Sequence, residues 1–232
     1  MNDTEQIERI TRYETRMQEA EELLQSEDDS AEAISRLRCL AQELDAYYTS
    51  DEWKQDFVDD EAGLLPQDLK RGVLSEDGLY DLLEQIRDFR IEALLEQPYW
   101  VIDILPKQVP ADGRGQYFRI EKFFLEHPQI DHIYKKFTNV LLKLNCYEDI
   151  DVSRDGEEWI TNPAPHELEA ALLRCMTDKQ MFYIILKSAD VMITVSGDDT
   201  YMTVYNPTEE MTELIGTLAG SEGLAIWQPN NI

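Results

Sequence analysis

"PYWVIDILP", residues 98–106, is where the chain changes its period. Before it, apolar residues recur at spacings of three and four, the signature of helices that bury one face. Here a proline is followed by a continuous apolar run of strand length. The fold therefore divides at this point into a helical part, 1–96, and a mixed part, 97–232.

The upstream repeat is carried by Ile7, Ile10, Met17, Ala20 and Leu24, and then by Ile34, Leu37, Ala41 and Leu44. The polar break "QSEDDSAE" (25–32) separates the two runs, and Ser30 is placed to cap the second. A short break between amphipathic runs predicts an antiparallel helical hairpin. A third, short helix is expected from near Ser50, with Thr49 and Glu52 at capping-box spacing and Trp53 and Phe57 on one buried face. A fourth begins near Ser75 and turns Leu79, Leu82, Leu83, Ile86 and Leu94 inward. "GLLPQDLKRG" (63–72) connects them as an ordered loop.

Downstream of Pro98 the signals alternate between types. Helices are expected over 115–126 and 128–144, divided by His127-Pro128, and a half-exposed strand over "YEDIDVS" (147–153). Asn162 before Pro163 reads as the cap of a helix running to about residue 176. "MFYIILK" (181–187) suits a central strand covered on both faces. "DVMITVSGDDTYMTVYN" (190–206) reads as a hairpin with Val191, Ile193 and Val195 on one side. Asn206, Pro207 and Glu209 cap a last helix ending near Gly220, and "GLAIWQP" (223–229) supplies a final strand. The fold class is α+β: an all-helical N-terminal domain, a hairpin plus two further helices, followed by an α+β domain with a mainly antiparallel sheet.

The stretch "YYTSDEWKQDFVDDEAGLLPQDLKRGVLSEDGLYDLLEQ", residues 47–85, resembles the bacterial family DUF4298, a domain of unknown function. Its most specific parts are Glu52-Trp53 and "LPQDLKRGVLSEDGLY" (65–80), and the resemblance covers roughly the first 95 residues. It implies a domain boundary and a bacterial origin but no mechanism. In the second half, "LPKQVP", "LLKLNCY", "DDTYMTVYNP" and "EGLAIW" resemble C-terminal domains of uncharacterised bacterial proteins, some of them associated with toxin-immunity neighbourhoods. That resemblance assigns no functional residues.

Composition narrows the partners. The chain carries 48 acidic against 21 basic residues among 232, a formal charge of -27. Such a surface repels nucleic acid and anionic membranes, and it steers basic proteins inward. No apolar run is long enough to span a bilayer, and the polar, acidic start "MNDTEQIERITRYE" lacks the basic and apolar regions of a signal peptide. Cys39, Cys146 and Cys175 are odd in number and unclustered, as expected of reduced thiols in the cytoplasm.

Two clusters invite a chemical reading. Asp51, Glu52, Asp56, Asp59, Asp60 and Glu61 surround Trp53 and Phe57, with several carboxylates spaced to share a helical face. The simpler expectation is an amphipathic helix, aromatics inward and acids in water, with Asp56, Asp59 and Asp60 all replaceable by asparagine without loss of fold. The functional expectation is a surface for a basic partner. Residues 107–143 form the second cluster: seven basic residues (Lys107, Arg114, Arg119, Lys122, Lys135, Lys136, Lys143) against four acidic ones leave a net +3. Lys107, Arg114, Arg119 and Lys122 lie on a Pro- and Gly-punctuated loop entering a helix, a setting for an anion or for pairing with acids of the helical half.

Complete catalytic or metal-binding patterns are absent from the sequence. "DVSRDGEEWITN" (151–162) has Asp151, Ser153, Asp155 and Gly156 at calcium-loop positions but ends in Asn162 where a bidentate glutamate belongs. His127 and His132 are five apart, which misses paired zinc spacing, and His166 sits among acids. "AGSEG" (219–223) is not a nucleophile elbow, and Gly113 and Gly115 lack a phosphate loop's Lys and hydroxyl. The expectation is an acidic cytoplasmic bacterial binding protein without metal or cofactor, an immunity-type inhibitor that occludes a basic nuclease-like toxin. The alternatives are a metal-assisted hydrolase built on the acidic cluster and a small-anion-sensing regulatory or structural module.

Overall fold

The structure, a computed structural model, describes residues 3–110 and 115–230. The chain divides into two compact units, Met1–Ala93 and Leu94–Ile232.

Unit 1 contains α1 (Asp3–Ser26), α2 (Ala31–Tyr48), α3 (Asp51–Glu61), a 3-10 turn (Gly72–Leu74) and α4 (Glu76–Leu95), whose last turn lies at the division. Ser30 Oγ accepts the Ala33 N–H and starts α2. At α3 the cap is Ser50, whose Oγ accepts the Trp53 N–H at 3.1 Å. Thr49, expected to share in a capping box, instead donates its hydroxyl to the Asp45 carbonyl of the preceding helix. Ile10, Ala20, Leu37, Leu40, Leu44, Leu79 and Ile86 are fully buried in one cluster with Trp53. The Trp53 indole donates to the Val73 carbonyl at 3.0 Å, and Glu14 of α1 accepts the Val73 N–H at 2.9 Å. The 3-10 turn is thereby clasped from two helices, which satisfies its backbone inside an apolar core. Phe57, expected to be largely buried, is only half-buried and stacks on Trp53 at 5.2 Å.

Unit 2 is a seven-stranded, wholly antiparallel sheet, in the order β3-β2-β4-β5-β6-β1-β7. The strands are β1 (Tyr99–Asp103), β2 (Ile150–Ser153), β3 (Ile160–Thr161), β4 (Met181–Leu186), β5 (Met192–Ser196), β6 (Tyr201–Tyr205) and β7 (Ala225–Trp227). The helices are α5 (Gln116–Glu126), α6 (Ile130–Leu144), α7 (Pro165–Asp178) and α8 (Glu209–Ser221). One face of the sheet sets Ile102, Ile184, Ile193, Val195, Met202 and Val204 into a core with Phe137, Leu141, Leu172 and Ile215 of the helices. Because strand side chains alternate, Tyr99, Val101 and Asp103 of β1 and Tyr201, Thr203 and Tyr205 of β6 must point to the other face.

Two of the expected caps lie elsewhere. Asn162 adopts a left-handed backbone (φ 46°) and spends its amide on β2, accepting the Ile150 N–H at 3.0 Å. Helix α7 therefore starts later, at Pro165, with the Glu167 carboxylate accepting the Ala164 N–H at 2.8 Å. At α8 the cap is Thr208, since Asn206 (φ 54°) donates to the Asp190 carbonyl across the hairpin.

Deleting the Trp53 ring removes both core volume and the hydrogen bond to Val73. Trp53→Ala is expected to cost about 3–5 kcal/mol, read as an earlier helix-melting transition of the full chain in urea.

Candidate functional site

The six carboxylates of the opening acidic cluster do not share one fate. Asp51, Glu52 and Glu61 are exposed, and the contact between Asp51 and Lys54 is an exposed pair at 3.1 Å. Asp59 and Asp60 are half-buried: Asp59 accepts from Gln6 and Gln55, and Asp60 pairs with Arg71. Asp56 is completely buried. Its carboxylate accepts from Arg9 Nε at 2.9 Å and Nη2 at 2.6 Å, from Gln6 at 2.9 Å and from the Tyr47 hydroxyl at 2.7 Å. The Asp56 hydrogen bond and charge hold the Arg9 guanidinium above its usual range. Burial, followed by that carboxylate, raises Tyr47. The expectation that Asp56 faces water or a partner is thus corrected: α3 turns it toward α1 and α2, where it neutralises Arg9. Among the described residues, no three His, Cys, Asp or Glu side chains are grouped so as to hold a metal ion.

Lys107 and Arg119 are exposed, Lys122 meets Glu126 one turn along α5 at 3.6 Å, and Arg114 lies outside the described residues. In the calcium-like stretch, Asp155 accepts the N–H groups of Glu157 and Glu158 at 3.0 and 3.1 Å. Those bonds hold its carboxyl below the usual range and spend it on closing a turn.

The feature with the chemistry of a site is on the face of the unit 2 sheet opposite its helical core. A cavity of about 480 Å³ there is walled by Tyr99, Tyr201, Tyr205, Tyr117 and Trp227, with Asp103 and Thr203 among its lining residues. The strands fix this set: Asp103 pairs with Tyr201 and Tyr99 with Tyr205 across β1 and β6, while Val101 pairs with Trp227 across β1 and β7. The Tyr99 and Tyr205 rings lie 5.8 Å apart at 45°. The segment after β1 closes one side. Trp227 Nε1 donates to the Leu105 carbonyl at 3.2 Å, and Gln108 accepts the Asn230 N–H at 2.6 Å. Helix α5 brings Tyr117, whose hydroxyl donates to Glu121 at 2.8 Å.

Its electrostatics are one-sided. Asp103 is buried and accepts the Leu105 N–H at 3.0 Å. Burial raises its carboxyl above the ordinary range, and the nearby Glu121 raises it further. Asp199 is raised by burial and then by Glu121 and Asp198. Tyr201 is pushed up to about 12 by burial and then by Asp199 and Glu121, and burial with Glu121 raises Tyr117. Among the described residues no Lys, Arg or His forms an ion pair with Asp103, Glu121 or Asp199. Acidic groups are thus gathered beside aromatic residues, with no ion-paired cation among the described residues to balance them.

None of these residues stood out in the sequence reading. The available signal was the alternation in "YWVID" and "YMTVY", which sets aromatic and polar side chains on every second position. Only strand pairing shows that the two sets meet.

Residues 10–95 match the family model described as Domain of unknown function (DUF4298). No curated protein and no solved structure matches the chain.

The two buried aspartates should respond oppositely to neutralisation. Asp56→Asn leaves Arg9 without its counter-charge and is expected to destabilise the protein by about 3 kcal/mol. Asp103→Asn keeps the acceptor for Leu105 N–H and removes an uncompensated charge. A carboxyl raised on folding favours the folded state below its unfolded pKa, and that contribution is lost as pH rises through its folded value. At neutral pH, therefore, Asp103→Asn should melt above the parent protein. The difference should vanish below about pH 4, the ordinary carboxylate range, as followed by thermal melts across pH.

Proposed function

We propose that this chain is a non-catalytic binding protein that engages a basic protein partner in the cytoplasm: an immunity-type inhibitor that covers a basic, nuclease-like toxin. The observation carrying the reading is an excess of carboxylate over cation, from the net charge of -27 down to Asp103 beside the tyrosine wall, which pairs with no cation among the described residues. A surface of this kind accelerates encounter with a positive partner and repels nucleic acid. Support for a protein partner comes from α5, which borders the cavity through Tyr117. That helix buries none of its residues fully and leaves Phe118, Ile120 and Phe123 exposed. Apolar side chains beside an acidic, aromatic cavity suit a partner surface that mixes basic and apolar groups. The inhibitor works by occlusion, so it needs no nucleophile, metal or cofactor of its own.

The test is recovery of the partner from the native host, followed by association kinetics with the purified pair. A basic partner is expected, with an association rate that falls about tenfold or more as salt is raised to physiological strength. Changing Asp51, Glu52 and Glu61 to their amides should slow association without altering the melting temperature. An acidic or neutral partner, or association indifferent to salt, would overturn the reading.

A further inference from the structure

We propose that the unit 2 cavity is a guanidinium site, receiving either an arginine side chain or a free guanidino compound between its tyrosines and over Asp103. The inference deepens the reading of the cavity as cation-receiving, but it stands on the cavity's own geometry and does not require a toxin partner.

Size and wall chemistry select the cation. The cavity, about 480 Å³, is in the range of pockets that enclose small organic ligands. A bare metal ion is disfavoured, because among the described residues the nearby carboxylates do not form a group able to hold one. Four tyrosines and a tryptophan line a single space. A planar, weakly hydrated guanidinium stacks on aromatic faces, whereas a lysine ammonium is compact and strongly hydrated. The wall also carries hydrogen-bonding groups at Asp103, Thr203 and Gln108. A quaternary ammonium has no donor to give them, while a guanidinium has five N–H donors. Asp103 on β1 lines the cavity, and its two carboxylate oxygens suit the paired N–H donors of a guanidinium better than a point charge.

The same arrangement explains an unusual cost. Asp103 is 3% exposed, its carboxylate is held by the backbone N–H groups of Leu105 and Ile104, and no cation among the described residues pairs with it. A buried carboxylate without a paired cation leaves its charge for a ligand to neutralise.

Calorimetric titration of the full chain decides the matter, with agmatine as the free guanidino compound and a short neutral-ended peptide with one central arginine as the side-chain form. Nα-acetyl-citrulline amide, which is flat and uncharged, is compared with Nα-acetyl-arginine amide and Nα-acetyl-lysine amide. Saturable binding of agmatine or the arginine peptide is expected, with loss of affinity of about tenfold or more on passing from the arginine amide to the citrulline or lysine amide. A peptide that binds more tightly than agmatine assigns the site to a protein side chain, and the reverse order assigns it to a free guanidino compound. Asp103→Asn should abolish most of the affinity while the protein melts no lower than before. Tyr205→Leu, which removes one ring, should weaken binding several-fold. Absence of saturable binding by both probes, equal affinity for arginine and lysine amides, or unchanged affinity in Asp103→Asn would overturn the assignment. Salt-sensitive capture of a basic partner by a protein that binds neither probe would sink this site and leave the inhibitor reading standing.

Discussion

The pleat of β1 constrains unit 2 more than any other feature. Ile102 must enter the core with Met202 and Val204 of the neighbouring β6, so Tyr99, Val101 and Asp103 are obliged to leave it on the opposite face. A register slip of one residue would exchange the sets, burying Asp103 among isoleucines and valines. Hydrophobic burial on one side therefore fixes the position of the carboxylate on the other. The antiparallel partners of β1 add Tyr201 and Tyr205 from β6 and Trp227 from β7, and the floor of the cavity follows from pairing.

Unit 1 treats buried charge in the opposite way. Asp56 is fully enclosed, yet Arg9, Gln6 and Tyr47 give its carboxylate four hydrogen bonds from two other helices. Such a group ties helices together and has nothing left to offer a ligand. Asp103 has only backbone N–H partners, from Leu105 and Ile104, and a raised carboxyl. The contrast separates a structural carboxylate from a candidate recognition group by the partners supplied to each, which burial by itself does not do. It also divides the α3 cluster, where three acids remain exposed and three are drawn wholly or partly into internal contacts.

The clasp on Val73 shows how a short irregular segment is held inside the helical unit. The Trp53 indole and the Glu14 carboxylate take its carbonyl and N–H, so the turn between α3 and α4 needs no strand or long helix to satisfy its backbone. Both Trp53 and the turn fall within residues 10–95, the segment that matches the DUF4298 model.

By itself the sequence determined the fold class, the helical hairpin, the cap at Ser30, the start of a helix near Ser75, the hairpin of β5 and β6 and the burial of Trp53. Each of these depends on periodicity or on side chain-to-backbone bonds a few residues apart. Local spacing misplaced the caps at Asn162 and Asn206, because both amides are used across strands, by residues 12 and 16 positions away. Asp56 was read as one acid among six, since helical spacing shows which face a residue occupies but not that Arg9, 47 residues earlier, waits there. The cavity was equally hidden. Its strand tyrosines, Trp227 and Asp103 come from three segments between residues 99 and 227, and each is an ordinary alternate position in its own strand. Only antiparallel pairing brings them to one place, because chemistry shared between distant segments is set by register across the sheet, which no single segment encodes.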